Sequence, residues 1–161
     1  MKLYSEVGLG TTFQVYFPAS AVSAEAATLE ATKPKPTGGT ETILVVEDDA
    51  TLRKATRMLL EQSGYQVLEA ADSDEAQRIW IRQKDAIDLL LTDMVMPGAV
   101  DGRQLAARLQ AQKPGMKVIL TSGYSASIAG RELRLETWQS FIQKPCSADQ
   151  LLKEVRDLLD S

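Results

Sequence analysis

Ile43-Leu44-Val45-Val46-Glu47-Asp48-Asp49 is the stretch that decides the fold. An apolar run of strand length, Thr42 to Val46, ends on three acids, and a helical pattern starts directly behind them. Asp49 to Ser63 places Leu52, Ala55 and Leu59 at helical spacing and stops at Gly64, a natural C-terminal cap. The alternation continues outward. Tyr65 to Glu69 reads as a second strand, and Asp72-Ser73 caps a helix through Gln83 with Asp74 and Glu75 in its first turn. Asp88 to Thr92 gives a third strand, Gly102 to Gln112 a helix, Lys117 to Thr121 a fourth strand and Ser140 to Gln143 a fifth. A helix is expected near Ser125 to Leu135, and Leu151, Leu152, Val155, Leu158 and Leu159 line one face of a closing helix. Five strand-helix units predict an α/β fold, a five-stranded parallel sheet with helices on both faces.

The first forty residues differ in character. Lys2 to Val7 and Thr11 to Phe17 read as two short strands, with Phe13, Val15 and Phe17 alternating with Gln14 and Tyr16. Gly8-Leu9-Gly10 supplies the turn, and Pro18 ends the second strand. Residues 19–40 are rich in Ala, Thr, Ser, Lys and Pro with little to bury, which predicts a linker, partly helical around Ala21 to Ala31. A hairpin alone is marginal in water, so this segment is expected to be the cut end of a larger domain.

Composition narrows the chemistry. The 161 residues are 44% hydrophobic and 25% charged, the make-up of a globular protein, and the net charge of -4 gives no general attraction to nucleic acid or an anionic membrane. The single cysteine, Cys146, excludes a disulfide within the chain and fits a reducing, cytoplasmic setting. Histidine is absent, which excludes Ser-His-Asp and Cys-His catalysis, histidine metal sites and phosphohistidine chemistry carried by the chain itself. Carboxylate, hydroxyl and lysine chemistry remain, together with metals held by oxygen.

Ligands in open parallel sheets bind beyond the carboxyl ends of the strands, so the residues just after each strand carry the information. These are Glu47, Asp48 and Asp49 after the first strand, Asp93 after the third, Thr121 and Ser122 after the fourth and Lys144-Pro145 after the fifth. Each has a plain explanation alone: Asp48 and Asp49 as helix caps, Asp93 as a turn residue, the serine and lysine as solvated loop groups. Together they converge at one rim. Clustered like charges are unfavourable unless a cation neutralises them, and carboxylates suit a hard ion such as Mg²⁺. The nearby lysine implies that an anion is also meant to occupy the site. Phosphoryl transfer to a carboxylate satisfies both requirements.

The segments Ile43-Leu44-Val45-Val46-Glu47-Asp48-Asp49, Leu91-Thr92-Asp93-Met94-Val95-Met96-Pro97-Gly98, Thr121-Ser122-Gly123-Tyr124 and Lys144-Pro145 resemble the receiver domains of two-component response regulators. The resemblance covers residues 41–161 and implies a flavodoxin-like receiver fold. It makes Asp93 the phosphoacceptor and Glu47 and Asp48 the acidic pair, with Asp48, Asp93 and the backbone carbonyl of Val95 on Mg²⁺ (or Mn²⁺) and Glu47 acting mainly through water. Ser122, 22 positions before Lys144, fits the family's hydroxyl better than Thr121. Phe141, three before the lysine, takes the aromatic switch position, with an ordinary core phenylalanine as the alternative. The Lys144-Pro145 bond is implied to be cis. The implied reaction passes a phosphoryl group from a partner's phosphohistidine to Asp93. Lys144 pairs with a phosphoryl oxygen, while Ser122 and Phe141 rearrange between two states.

Ser5-Glu6-Val7-Gly8-Leu9-Gly10-Thr11-Thr12-Phe13-Gln14-Val15-Tyr16-Phe17-Pro18 resembles the end of the ATP-binding domain of sensor histidine kinases. The expected organisation is therefore a kinase hairpin remnant over 1–18, a linker over 19–40 and a receiver over 41–161, from the C-terminal part of a hybrid histidine kinase. The partners implied are a histidine kinase domain or a histidine phosphotransfer protein, with no nucleic acid and no direct membrane contact. Such a piece is not expected to bind ATP or to act as a kinase by itself, beyond phosphorylation and dephosphorylation at Asp93. One alternative is a magnesium-dependent phosphatase or phosphotransferase with an aspartyl nucleophile. Those enzymes usually carry a second aspartate two positions on, where this chain has Val95. Another is a stand-alone regulator acting through a separate effector.

Overall fold

The computed structural model describes residues 2–8, 10–16, 38–123 and 136–161, and the chain divides into two units, residues 1–33 and 34–161. In the first, β1 (Lys2–Glu6) and β2 (Gly10–Gln14) form an antiparallel hairpin in which Leu3 faces Phe13 and Tyr4 faces Thr12. Gly8 and Gly10 both adopt positive φ at its turn, a conformation that favours glycine. Every residue of both strands is exposed. The second strand is shorter than expected. Lys2 already pairs with Gln14, so the ladder has run out before Val15 and Tyr16. Phe17, Pro18 and the helix expected around Ala21 to Ala31 lie outside the described residues.

The second unit runs β3 (Thr42–Val46), α1 (Ala50–Gln62), β4 (Gln66–Ala70), α2 (Ser73–Gln83), β5 (Ile87–Asp93), α3 (Gly102–Gln112), β6 (Lys117–Ser122), β7 (Gln139–Gln143) and α4 (Ala148–Leu159). The strands pair in parallel in the order β4-β3-β5-β6-β7. The helix expected near Ser125 to Leu135 falls outside the described residues.

Side-chain alternation explains the unbroken apolar strands. Leu44, Val46, Leu90, Val118 and Leu120 join one core cluster with Trp80 of α2 and Leu105 and Leu109 of α3. Ile43, Val45, Leu89, Leu91 and Ile119 join the other with Leu60 of α1 and Leu151, Val155 and Leu158 of α4. Both faces of the central strands are therefore covered, as in a parallel sheet.

Local chemistry places the helix starts. Asp49, Asp72, Asp101 and Ser147 cap α1, α2, α3 and α4 by accepting backbone N–H bonds in each first turn. Glu75 also accepts the Ala71 N–H at 2.7 Å, which closes a reciprocal pair around the start of α2. The α1 helix stops at Gly64, whose φ is +95°. Tyr65, expected to open the second strand, instead donates its N–H to the Leu60 carbonyl and completes the helix end. The strand begins one residue later, where Gln66 N donates to the Glu41 carbonyl.

The opposite end of the sheet from the strand carboxyl termini is held by polar staples. Lys113 Nζ donates to the carbonyls of Lys84, Asp85 and Ile87. Arg156 reaches Glu41 at 2.8 Å and Asp160 at 2.7 Å. Gly38 and Gly39 run closely over this end: Gly39 N donates to the Ser63 carbonyl, and a Cβ on Gly38 would stand 1.6 Å from that oxygen.

Candidate functional site

Three strands deliver acids or a cation to the same rim. β3 ends at Val46, so Glu47 and Asp48 leave the sheet together, and Asp49 is occupied as a cap by the N–H groups of Thr51 and Leu52. This separates Asp49 from the functional pair. β5 ends on Asp93, and β7 leads into Lys144, whose bond to Pro145 is cis.

Carboxylate oxygens of Glu47, Asp48 and Asp93 lie within 4.8 Å of one another. Lys144 Nζ stands 2.6 Å from Glu47 Oε2 and 2.6 Å from Asp93 Oδ2. The second Asp93 oxygen accepts the Val95 N–H at 2.9 Å. Glu47 is buried, Asp93 half-buried and Asp48 exposed. Burial pushes the Glu47 carboxyl above its usual range, against the pull of Lys144. Burial alone would lower the Lys144 ammonium, but its hydrogen bonds to Asp93 and Glu47 outweigh this and hold it above its ordinary value. The lysine is thus a firmly charged counter-ion between two acids.

The donor set fits a hard divalent cation. Only oxygen is offered, Asp48 leaves an exposed side open to water ligands, and a metal would relieve the repulsion among three carboxylates that a single ammonium only partly offsets.

The other expected residues surround this cluster. Ser122 is buried at the end of β6, and its carbonyl accepts the Lys144 N–H at 2.8 Å, tying the lysine's backbone to the neighbouring strand. Thr121 donates its hydroxyl to the Thr92 carbonyl at 3.4 Å. Phe141 is half-buried against the core cluster of α2 and α3, and the Val95 side chain is exposed. A cavity of about 450 Å³ opens beside Asp93 and Lys144, lined by Leu52, Thr56, Leu91, Cys146 and Leu151.

Two further residues act on the cluster from outside it. Arg53 of α1 donates to the backbone carbonyls of Glu47 and Asp48. Gly102, the first residue of α3, lies against the Asp93 backbone so closely that a Cβ there would meet its carbonyl at 1.8 Å. An arginine five positions after the acidic pair is visible in the sequence, but its carbonyl targets depend on tertiary placement.

The family described as the response regulator receiver domain matches residues 43–156. The chain belongs to the receiver family. Sensor kinase CckA of Brucella abortus is 35% identical over 163 aligned positions, which cover 97% of this chain and 17% of that protein. The chain thus spans about a sixth of that relative's length. Among solved structures, the receiver domain from hybrid histidine kinase CckA is 35% identical, covering 73% of this chain and 98% of its own with a TM-score of 0.60. The response regulator TrrA of Thermotoga maritima, solved in complex with Mg(2+)-BeF, is 26% identical, covers 74% of this chain and 99% of its own, and has a TM-score of 0.62. These likenesses span the five-stranded receiver, and the likeness to the sensor kinase extends over nearly the whole chain.

Proposed function

We propose that Asp93 is the phosphoacceptor of this receiver and that it takes its phosphoryl group from a phosphohistidine on a kinase domain or phosphotransfer protein. The observation that carries this is Lys144 held at 2.6 Å from both Asp93 and Glu47 within the three-carboxylate cluster. One Asp93 oxygen attacks phosphorus in line, and the N–P bond breaks with its electron pair going to the ring nitrogen, so the imidazole, which carries a proton on its other nitrogen, leaves neutral. Lys144, already charged and beside Asp93, pairs with a phosphoryl oxygen as its contact to the carboxylate is replaced. Glu47, Asp48, Asp93 and the Val95 carbonyl would hold Mg²⁺, which supplies charge neutralisation between the nucleophile and the phosphoryl oxygens. The solved complex of TrrA with Mg(2+)-BeF supports that choice of ion.

Ser122, buried at the end of β6 with its carbonyl on the Lys144 N–H, supplies the hydroxyl that follows the phosphoryl group. Phe141, half-buried and next to Ser122's strand, is the side chain that repacks. The match to CckA across the hairpin supports an origin in a hybrid histidine kinase, with residues 1–18 closing its ATP-binding domain, 19–40 linking and 41–161 receiving. Among the described residues no helix is long and apolar enough to cross a membrane, and the lone Cys146 suits a cytoplasmic location.

The test incubates the chain with Mg²⁺ and acetyl phosphate and reads its mass, with Asp93→Asn alongside. The wild type gains one base-labile, hydroxylamine-labile phosphoryl group and D93N gains none. A wild type that gains no mass, or a D93N that labels equally, ends the assignment.

A further inference from the structure

The acidic cluster poses a problem that its own members do not solve. Glu47 and Asp48 are consecutive, sit on a short connection between β3 and α1, and must hold two carboxylates near a third. Repulsion drives such a connection apart before a cation arrives. Lys144 contacts Glu47 and Asp93.

Arg53 addresses the backbone of that connection. Its guanidinium Nη1 donates to the Glu47 carbonyl at 2.5 Å and lies 3.4 Å from the Asp48 carbonyl. The side chain is half-buried, and Glu69 of β4 stands 3.9 Å from Arg53 Nε, beyond hydrogen-bond range. Glu69 is held in turn by Arg57 at 2.7 Å. A planar guanidinium with several fixed donors suits two adjacent carbonyls better than an ammonium does.

We propose that Arg53 is the positioning residue of the acidic cluster, fixing the Glu47–Asp48 backbone so that its carboxylates stay gathered for the divalent cation. This rests on reading Glu47, Asp48 and Asp93 as a cation site. Positioning and simple electrostatics predict opposite signs. Arg53 is a positive charge near the acids, so on Coulomb grounds alone its removal tightens cation binding. If it positions, its removal loosens binding. A purely structural residue would change the melting temperature and leave the affinity alone.

Calorimetric titration of the full chain with Mg²⁺ separates these cases, with thermal melts in EDTA beside it. Arg53→Met weakens Mg²⁺ by about tenfold, the share of one charged hydrogen bond. Arg53→Lys keeps the charge and one donor, and falls within about threefold of wild type. Arg57→Met loses the same Glu69 partner with no carbonyl contact, and its Mg²⁺ affinity stays at the wild-type value. Unchanged or tighter binding by R53M overturns the proposal. Should R53M fail to fold, Arg53→Gln takes its place beside R57M: R53Q binds Mg²⁺ more weakly than R57M, and equal affinities there overturn the proposal as well. A wild type without Mg²⁺ binding that Asp48→Asn abolishes removes the underlying site instead, an outcome distinct from failure of Arg53 alone.

Discussion

Replacing Gly102 by alanine adds one methyl group at the most crowded point behind the site. The new carbon would lie 1.8 Å from the Asp93 carbonyl oxygen, 2.8 Å from its carbon and 2.9 Å from Thr92 Oγ1. These are mostly backbone atoms at the end of a central strand, and no side-chain rotation can clear them. The start of α3 must instead back away from β5 by more than about 1 Å, straining the Gly102 N–H bond to the Met94 carbonyl. Overpacking of this kind costs about 3 kcal/mol, and the better helix propensity of alanine returns well under about 1 kcal/mol at a first-turn position. A net loss of about 2–3 kcal/mol corresponds to a fall in Tm of roughly 6–10 °C for a domain of this size. Because the crowded carbonyl belongs to Asp93, any part of the shift that β5 takes up moves the nucleophile, and labelling by acetyl phosphate should also slow, by about 10²-fold for a misplacement near 1 Å. Gly115→Ala is the control: its Cβ would meet nothing within 4 Å and its φ is not positive. It should leave Tm unchanged or raise it slightly through the unfolded chain. Thermal melts by circular dichroism and mass-monitored labelling read both variants. A G102A protein that melts within about 2 °C of wild type, or a G115A that falls as far, refutes the account.

Lys144→Met leaves Glu47 and Asp93 facing each other without a cation. Its stability in EDTA should fall by about 2 kcal/mol, a buried-pair cost discounted for partial exposure, while added Mg²⁺ raises its Tm by more than it raises that of wild type. An equal or smaller rise contradicts the competition between lysine and cation. At the other end of the sheet, hydrogen bonding to Arg156 holds the Glu41 carboxyl below its ordinary 4.5. The unfolded chain therefore takes up this proton first as pH falls, so the pair's contribution is complete above 4.5 and is lost as pH drops through the folded value. Glu41→Gln should cost about 1 kcal/mol at pH 7, and urea midpoints of the two proteins should converge in acid. A gap that persists or widens in acid would show that the pair acts otherwise.

The parallel sheet was legible because each central strand is covered twice, which leaves an unbroken aliphatic run such as Ile43 to Val46. Helix starts were legible because caps are local: Asp49 and Asp72 act within three residues of themselves. The rim residues Glu47, Asp48, Asp93 and Lys144 followed from strand ends alone, since parallel strands send their carboxyl termini the same way. Other features depended on the third dimension. Tyr65 looks like a strand residue by type, yet its N–H finishes the helix. Val15 has the right alternation for β2 but lies past the last paired residue. Arg53 and Gly102 influence the site through backbone atoms, and nothing about an arginine or a glycine in one dimension says which carbonyl it will meet.

The close seat of Gly38 and Gly39 also sets where this domain can be cut or grafted. An added Cβ on Gly39 would meet Glu41 Oε2 at 1.9 Å and both Arg156 Nη1 and Tyr65 Cε1 at 2.6 Å. Foreign sequence joined directly at Thr40 would put a side chain at position 39 into that gap and pull the backbone N–H there away from the Ser63 carbonyl. The double glycine therefore travels with the receiver as its own collar. A transplant that trims it alters the domain's rear wall, the end of the sheet opposite the strand ends that carry Asp93.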